Sequence, residues 1–177
     1  MKKAIPTQKE APFKIDELFF STTDLRGIIT AYNDVFCRIS GHPPSVVMKS
    51  PHNIIRHPDM PKAIFKIFWE TIKAGQPITA YVKNMAANGD HYWVVASVFP
   101  IPDGYLSVRF KPSSKVFPSV EKLYQNMLQE EKRNGVEASQ KLLFDSLTSQ
   151  GFNNYFEFMA VVLREEMKSR DLLLEDP

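Results

Sequence analysis

The densest chemistry in this chain lies in four consecutive residues, Arg56-His57-Pro58-Asp59. Arg56 is a permanently charged, planar fork suited to a pyrophosphate or another anion, with a salt bridge to Asp59 as the structural alternative. His57 titrates near neutral pH, so it can exchange a hydrogen bond with a ligand, or bind a haem iron. Asp59 can cap a following helix and thereby aim Arg56 and His57. Asn84 offers donors and an acceptor on one amide, and on a strand it can meet the edge of a flat heterocycle or simply sit on a sheet rim. Trp69 and Trp93 are rings that can stack on such a group or pack; Trp69 is assigned to the former and Trp93 to the latter. Asn33, beside Asp34, opens a helix as a candidate cap. No acid–base or nucleophile pair shows catalytic spacing. No set of His and acidic residues shows zinc-ligand spacing, and the glycine-rich phosphate loops are missing. The pattern is that of a binding site and not of an enzyme.

Such residues need a scaffold, and the composition supplies one. The 177 residues are 44% hydrophobic and 24% charged, enough for one domain with an appendage. Lys and Arg number 22 against 20 acids, a net charge of +2 without a basic cluster, which argues against nucleic acid or an anionic membrane surface as partner. No run of about 18 apolar residues exists, and the start Met1-Lys2-Lys3-Ala4-Ile5-Pro6 lacks the apolar stretch of a secretory signal. Cys37, the single cysteine, excludes an internal disulfide; it reads as a buried, inert thiol in a reducing cytoplasm. Thirteen Phe suggest a ring-rich core or a ring-lined pocket.

Periodicity then places the elements. Residues 1–16 read as an N-terminal arm. Leu18 to Thr23 and Ile28 to Tyr32 are strands joined by Asp24-Leu25-Arg26-Gly27. Short helices follow from Asn33 to Gly41 and from His42-Pro43-Pro44-Ser45, then a broken segment from Ser50 to Arg56. The clearest helix is expected to begin at Asp59 and to end at Gly75, with Ile64, Ile67, Phe68, Thr71 and Ile72 on one face. Strands Ile78–Met85, Asp90–Ile101 and Tyr105–Lys111 follow, the first two joined by Asn88-Gly89. Period-2 alternation puts Tyr92, Val94, Ala96 and Val98 on one face and His91, Trp93, Val95, Ser97 and Phe99 on the other. After a linker, Pro112 to Pro118, three amphipathic helices run from residue 119 towards Leu174, a docking or dimerisation extension.

This order, two strands, short helices, a longer helix and three strands, resembles a PAS domain. The motifs resemble those of the aerotaxis-receptor (Aer-type) PAS family: Phe20-Ser21-Thr22-Thr23-Asp24-Leu25-Arg26-Gly27-Ile28-Ile29-Thr30 with Asn33-Asp34, Pro51-His52-Asn53-Ile54-Ile55-Arg56-His57-Pro58-Asp59-Met60-Pro61-Lys62-Ala63, Trp69, Val82-Lys83-Asn84 and Asn88-Gly89-Asp90-His91-Tyr92-Trp93-Val94. The resemblance implies an α+β chain: a PAS sensor domain over residues 17–112, with a five-stranded antiparallel sheet and short helices on one face, plus a C-terminal helical extension over 119–177.

It further implies a non-catalytic, cytoplasmic redox or energy-state sensor that binds FAD and relays to a signalling partner such as a membrane chemoreceptor. In that family the positions of Arg56, His57 and Asp59 are associated with flavin binding, and those of Asn33, Trp69 and Asn84 lie at or near the pocket. A cation near the ring, here Arg56, favours the reduced anion. Ile78, Met85-Ala86-Ala87 and Lys49-Ser50 depart from the family pattern, and the first two motivate the alternative of a cofactor-free interaction module, with a homodimer through the sheet or the terminal helices. Haem is a weaker alternative. The chain lacks an Asn-Cys-Arg-Phe motif, so a light-driven thiol adduct is not expected.

Overall fold

Asp24 makes the first turn. Its Oδ1 accepts from the amides of Arg26 and Ile28, both at 2.9 Å, and so folds Asp24-Leu25-Arg26-Gly27 back on itself. Gly27 there adopts φ +80°, and a Cβ on it would lie 3.1 Å from the Trp69 ring. The turn joins β1 (Leu18–Asp24) to β2 (Ile29–Tyr32) in a computed structural model that describes residues 4–170. Helices α1 (Asp34–Ser40) and α2 (Pro44–Val47), a 3-10 turn at His52–Ile55 and α3 (Lys62–Lys73) come next. Then come β3 (Ile78–Met85), β4 (His91–Ile101) and β5 (Gly104–Phe110), followed by α4 (Phe117–Asn134), α5 (Val136–Ser149) and α6 (Tyr155–Ser169).

The five strands form one antiparallel sheet in the order β2-β1-β5-β4-β3. This is the expected PAS fold. Its register carries the face assignment. Ala80 pairs with Ala96, Ala96 with Arg109, and Arg109 with Phe19, so these four share a row; Ile78, Val98, Ser107 and Ser21 form the next. On this face Phe19 meets Phe36 of α1 edge-on at 5.7 Å, and Tyr105 meets Trp69 of α3 at 5.9 Å. It is therefore the face that the short helices cover. The opposite face is divided. Tyr81, Trp93, Val95 and Phe110 are buried, while Leu18, Phe20 and Phe99 are exposed.

Residues 4–16 are tied to the sheet. Backbone bonds join Thr7 N to Gly89 O, Ala11 N to His91 O and His91 N to Lys9 O, so the arm takes the pairing position beside the start of β4 that β5 is too short to fill.

The chain divides into two compact units: one runs to Met60 and resumes over Phe68–Lys111, and the other joins Pro61–Ile67 to the chain after Pro112. In the second, α4 and α5 form a hairpin about Gly135, tied by Ser139 Oγ donating to Met127 O at 2.9 Å. Val120, Tyr124 and Met127 are the buried part of the expected stripe. Asn154 caps α6, accepting from Glu157 N at 2.9 Å. The buried Glu166 carboxylate accepts from the backbone amide of Ser113 at 2.8 Å, from Ser114 Oγ at 2.9 Å and from Arg170 at 3.0 Å. These bonds and the Arg170 charge offset the desolvation of the buried carboxylate.

Two boundaries differ from the sequence expectation. Helix α3 begins at Lys62 and not at Asp59, because Ala63 N donates to Glu131 of α4 at 3.1 Å; the cap comes from far along the chain. Pro118 lies in the first turn of α4 and does not end the linker, since a proline there loses no helical bond. The expected course of α6 towards Leu174 lies outside the described residues.

Gly104 is the tightest point of the sheet. A Cβ there would lie 1.8 Å from Thr23 O, within the β1–β5 pairing. Gly104→Ala should lower stability by about 1–3 kcal/mol or more, read as a fall in urea midpoint. An unchanged midpoint would contradict this register.

Candidate functional site

The helix-covered face of the sheet is apolar at its centre and polar along one track. Ala80 and Ala96 put two small, buried side chains side by side on this face. Around them stand the rings of Phe19, Phe36 and Tyr92, with Phe19 and Tyr92 at 6.1 Å. Polar groups follow: Ser21, Ser107, Arg109 and Asn84, all buried.

Arg109 dominates the electrostatics. Its side chain is 5% exposed. One arm donates to Ser21 Oγ at 3.0 Å and the other lies 2.7 Å from His52 Nε2. Its carbon sits 5.2 Å from the Phe19 ring centre. A guanidinium only donates, so His52 Nε2 must accept, and the imidazole is neutral with its proton on Nδ1. Burial, and then the Arg109 charge, push the His52 pKa well down. Burial also lowers Arg109 itself to about 10, opposed by Tyr92. Among the described residues no carboxylate pairs with it.

Asn84 lies on the same face, 4% exposed, and its Nδ2 has no hydrogen-bond partner. Ser107 Oγ is likewise buried and unpartnered. Orphaned buried donors are rare in folded chains and ask for a partner. The Asn84 amide, on one face with the small Ala80 and Ala96 and paired with Tyr92, suits the heteroatom edge of a flat conjugated ring such as a flavin, whereas Ser107 lies six residues further along the register of β4.

The structure brings some of the sequence-derived site residues together and separates others. Arg56 forms a β-bridge with Asn84 along the outer edge of β3, which puts both side chains on the helix-covered face. The next residue, His57, points to the other face. It meets the His91 ring edge-on at 6.3 Å. Asp59 is there too, 3.7 Å from His57 Nδ1 and 3.8 Å from Lys83 Nζ. His57 Nδ1 accepts from Asp59 N at 3.0 Å, so its proton is on Nε2, a buried donor with no partner. Trp93 shares that second face, with Lys83 Nζ 5.9 Å from its ring.

Asn33 stands at the head of α1 but makes no side-chain cap. Its amide bridges β1 instead, accepting from Phe20 N at 3.3 Å and donating to Leu18 O at 3.0 Å. Trp69 lies at the far end of the sheet, against Gly27 and Tyr105. From Tyr92, paired with Asn84, to Pro100, paired with Tyr105, β4 runs eight residues. At about 3.3 Å per residue that is roughly 26 Å, too far for Trp69 and Asn84 to touch one ring.

Sequence reasoning missed Arg109, His52, Ser21 and Ser107. In Tyr105-Leu106-Ser107-Val108-Arg109-Phe110 the apolar residues alternate with polar ones, and the ordinary rule sends the polar set to solvent. Here the polar set faces inward, and Leu106 and Val108 are only half-buried.

Residues 29–108 match the PAS fold family. The chain is 43% identical over 123 residues to the Aerotaxis receptor of Escherichia coli, covering 67% of this chain and 24% of that protein. It is 30% identical over 88 residues to the Nitrogen fixation regulatory protein of Klebsiella pneumoniae, covering 49% of this chain and 18% of that one. It thus spans about a quarter or less of these relatives. Among solved structures, the light-state structure of the blue-light photoreceptor Aureochrome1 LOV superposes with a TM-score of 0.51 at 21% identity, over 60% of this chain and 90% of that one. A blue-light activated histidine kinase of Erythrobacter litoralis gives 0.51 at 11% identity, over 75% of this chain and 48% of that one. No described helix is long and apolar enough to cross a membrane.

His57 provides a test of the site's burial. Desolvation first, then the Lys83 charge, lower its pKa from 6.5 to about 4, against the pull of Asp59. The unfolded chain therefore binds the proton more readily. The contribution is complete above pH ~6.5 and is lost as pH falls towards 4, by up to about 3 kcal/mol at 1.4 kcal/mol per unit. Urea unfolding of wild type and His57→Gln across that window should show the gap between them closing on acidification. A gap that stays constant removes His57 from the buried set.

Proposed function

We propose that this chain, which carries a PAS domain of the aerotaxis-receptor type, is a non-catalytic cytoplasmic redox sensor that binds FAD and signals to a protein partner. The observation that supports the reading is the buried, unpartnered Nδ2 of Asn84, on the same sheet face as Arg56, Ala80 and Ala96. The flavin, when bound, supplies a reversible two-electron centre.

The residues then divide the work. Asn84 hydrogen-bonds the pyrimidine edge of the ring, and Arg56 meets an anionic group beside it. His57 and Asp59, joined to each other and set against Lys83, fix the segment that aims Arg56. Asn33 holds α1 to β1 at the wall of the pocket. Trp69 closes the end of the face near the β1–β2 turn, clear of the ring.

Asn84 lies on an edge strand, so a change in what its amide must bond is a change in the β3–β4 ladder. The exposed Leu18, Phe20 and Phe99 on the opposite face offer a surface through which a chemoreceptor-type partner, or a second copy, can read that change. Residues 119–177 serve as the docking extension.

The test is optical. Freshly purified or FAD-refolded protein should be yellow with bound-flavin absorption. Asn84→Ala should bind FAD about tenfold or more weakly with an unchanged circular dichroism spectrum, since one buried hydrogen bond is worth about 1.4 kcal/mol. A colourless wild type that takes up no FAD on refolding would sink the sensor reading and favour the cofactor-free interaction module.

A further inference from the structure

Arg109 is a buried cation that the fold does not neutralise. Ser21, His52 and the face of Phe19 satisfy its geometry, but none of them is negative. Taking a guanidinium out of water without a counter-charge is strongly unfavourable, and an apolar side chain of similar size would fill the same volume without that penalty. The surroundings indicate what would neutralise it. Ala80 and Ala96 lie in its own cross-strand row and keep the floor low. Ser107, two residues back on the same face, holds an unpartnered buried hydroxyl. A flat group lying on that floor would present its edge to Arg109.

Resting on the flavin reading above, we propose that Arg109, and not Arg56, is the charge that selects the reduced, anionic form of the ring and so sets the redox level at which the protein switches. Ser21 and His52 are positioning residues that hold the guanidinium fork. Arg56 is only half-buried, and water screens its charge. The anionic form differs from the oxidised one by two electrons and one proton, drawn from an external reductant. Arg109 forms and breaks no covalent bond in this; it changes only the relative affinity for the two forms.

The experiment uses the full chain loaded with FAD and titrated with dithionite, a two-electron reductant, against a reference dye. Arg109→Gln should lose at least tenfold of the preference for reduced over oxidised flavin, a fall of about 30 mV in the two-electron midpoint. Arg109→Lys, which keeps the charge, should stay within threefold of wild type. In the flavin-free protein, Arg109→Leu should raise the urea midpoint, because it removes an unneutralised charge. A wild type that binds no FAD overturns the flavin reading, and this proposal with it. Bound flavin with the same midpoint in wild type and Arg109→Gln overturns this proposal alone. If Arg109→Gln cannot be loaded, Arg109→Lys decides: retained flavin at the wild-type midpoint supports the role, and a shifted midpoint or lost flavin overturns it.

Discussion

Everything in the sheet follows from β5 running antiparallel between β1 and β4. That single placement sets the rows, because each β5 residue fixes one partner on either side. It sends Tyr105, Ser107 and Arg109 to the helix-covered face, and it brings Arg109 beside Ser21 and, through the 3-10 turn, His52. A slip of one residue would exchange Arg109 for Phe110 and turn the polar track to the other side. The tight approach of Gly104 to Thr23 works against that slip at the strand's start.

A consequence is that a run of adjacent residues need not make one site. Arg56 and His57 are neighbours in sequence, and both belong to the same motif. Along a strand-like edge, successive side chains point to opposite faces. Arg56 therefore joins Asn84, while His57 joins Asp59, Lys83 and His91. The motif lies on both sides of β3: Arg56 shares the helix-covered face with Asn84, and His57 and Asp59 lie on the other. On the reading proposed above, His57 and Asp59 would position Arg56 without touching the ligand.

The elements whose information is local were legible in the sequence. The Asn88-Gly89 and Asp24–Gly27 turns, the alternation in β4 and the α4 stripe each depend on residues within a few positions, and the structure has them. Asn84, which the sequence left open between a ligand contact and a sheet rim, is buried with an unpartnered Nδ2. Features set by distant partners were not legible. The start of α3 depends on Glu131, 68 residues after Ala63. The Asn33 amide goes to Leu18 and Phe20 and not to its own helix. Arg109 was hidden most thoroughly, because local alternation alone predicts a solvent-facing charge at its position.

That inversion in β5 connects the fold to the function. A strand with an apolar face and a polar face ordinarily turns the apolar one to the core, since burying Leu, Val and Phe is favourable at about 25 cal/mol per Å². Here Leu106 and Val108 are left half-exposed so that Ser107 and Arg109 can be buried. Both halves of the exchange are unfavourable for folding alone. They make sense if the inward face receives a ligand with matching polarity and the outward face receives a partner. The two surfaces share one strand, with Ser107 and Arg109 on one side and Leu106 and Val108 on the other. On the sensor reading proposed above, ligand state and partner surface would be coupled through the width of this one strand, with no longer path required.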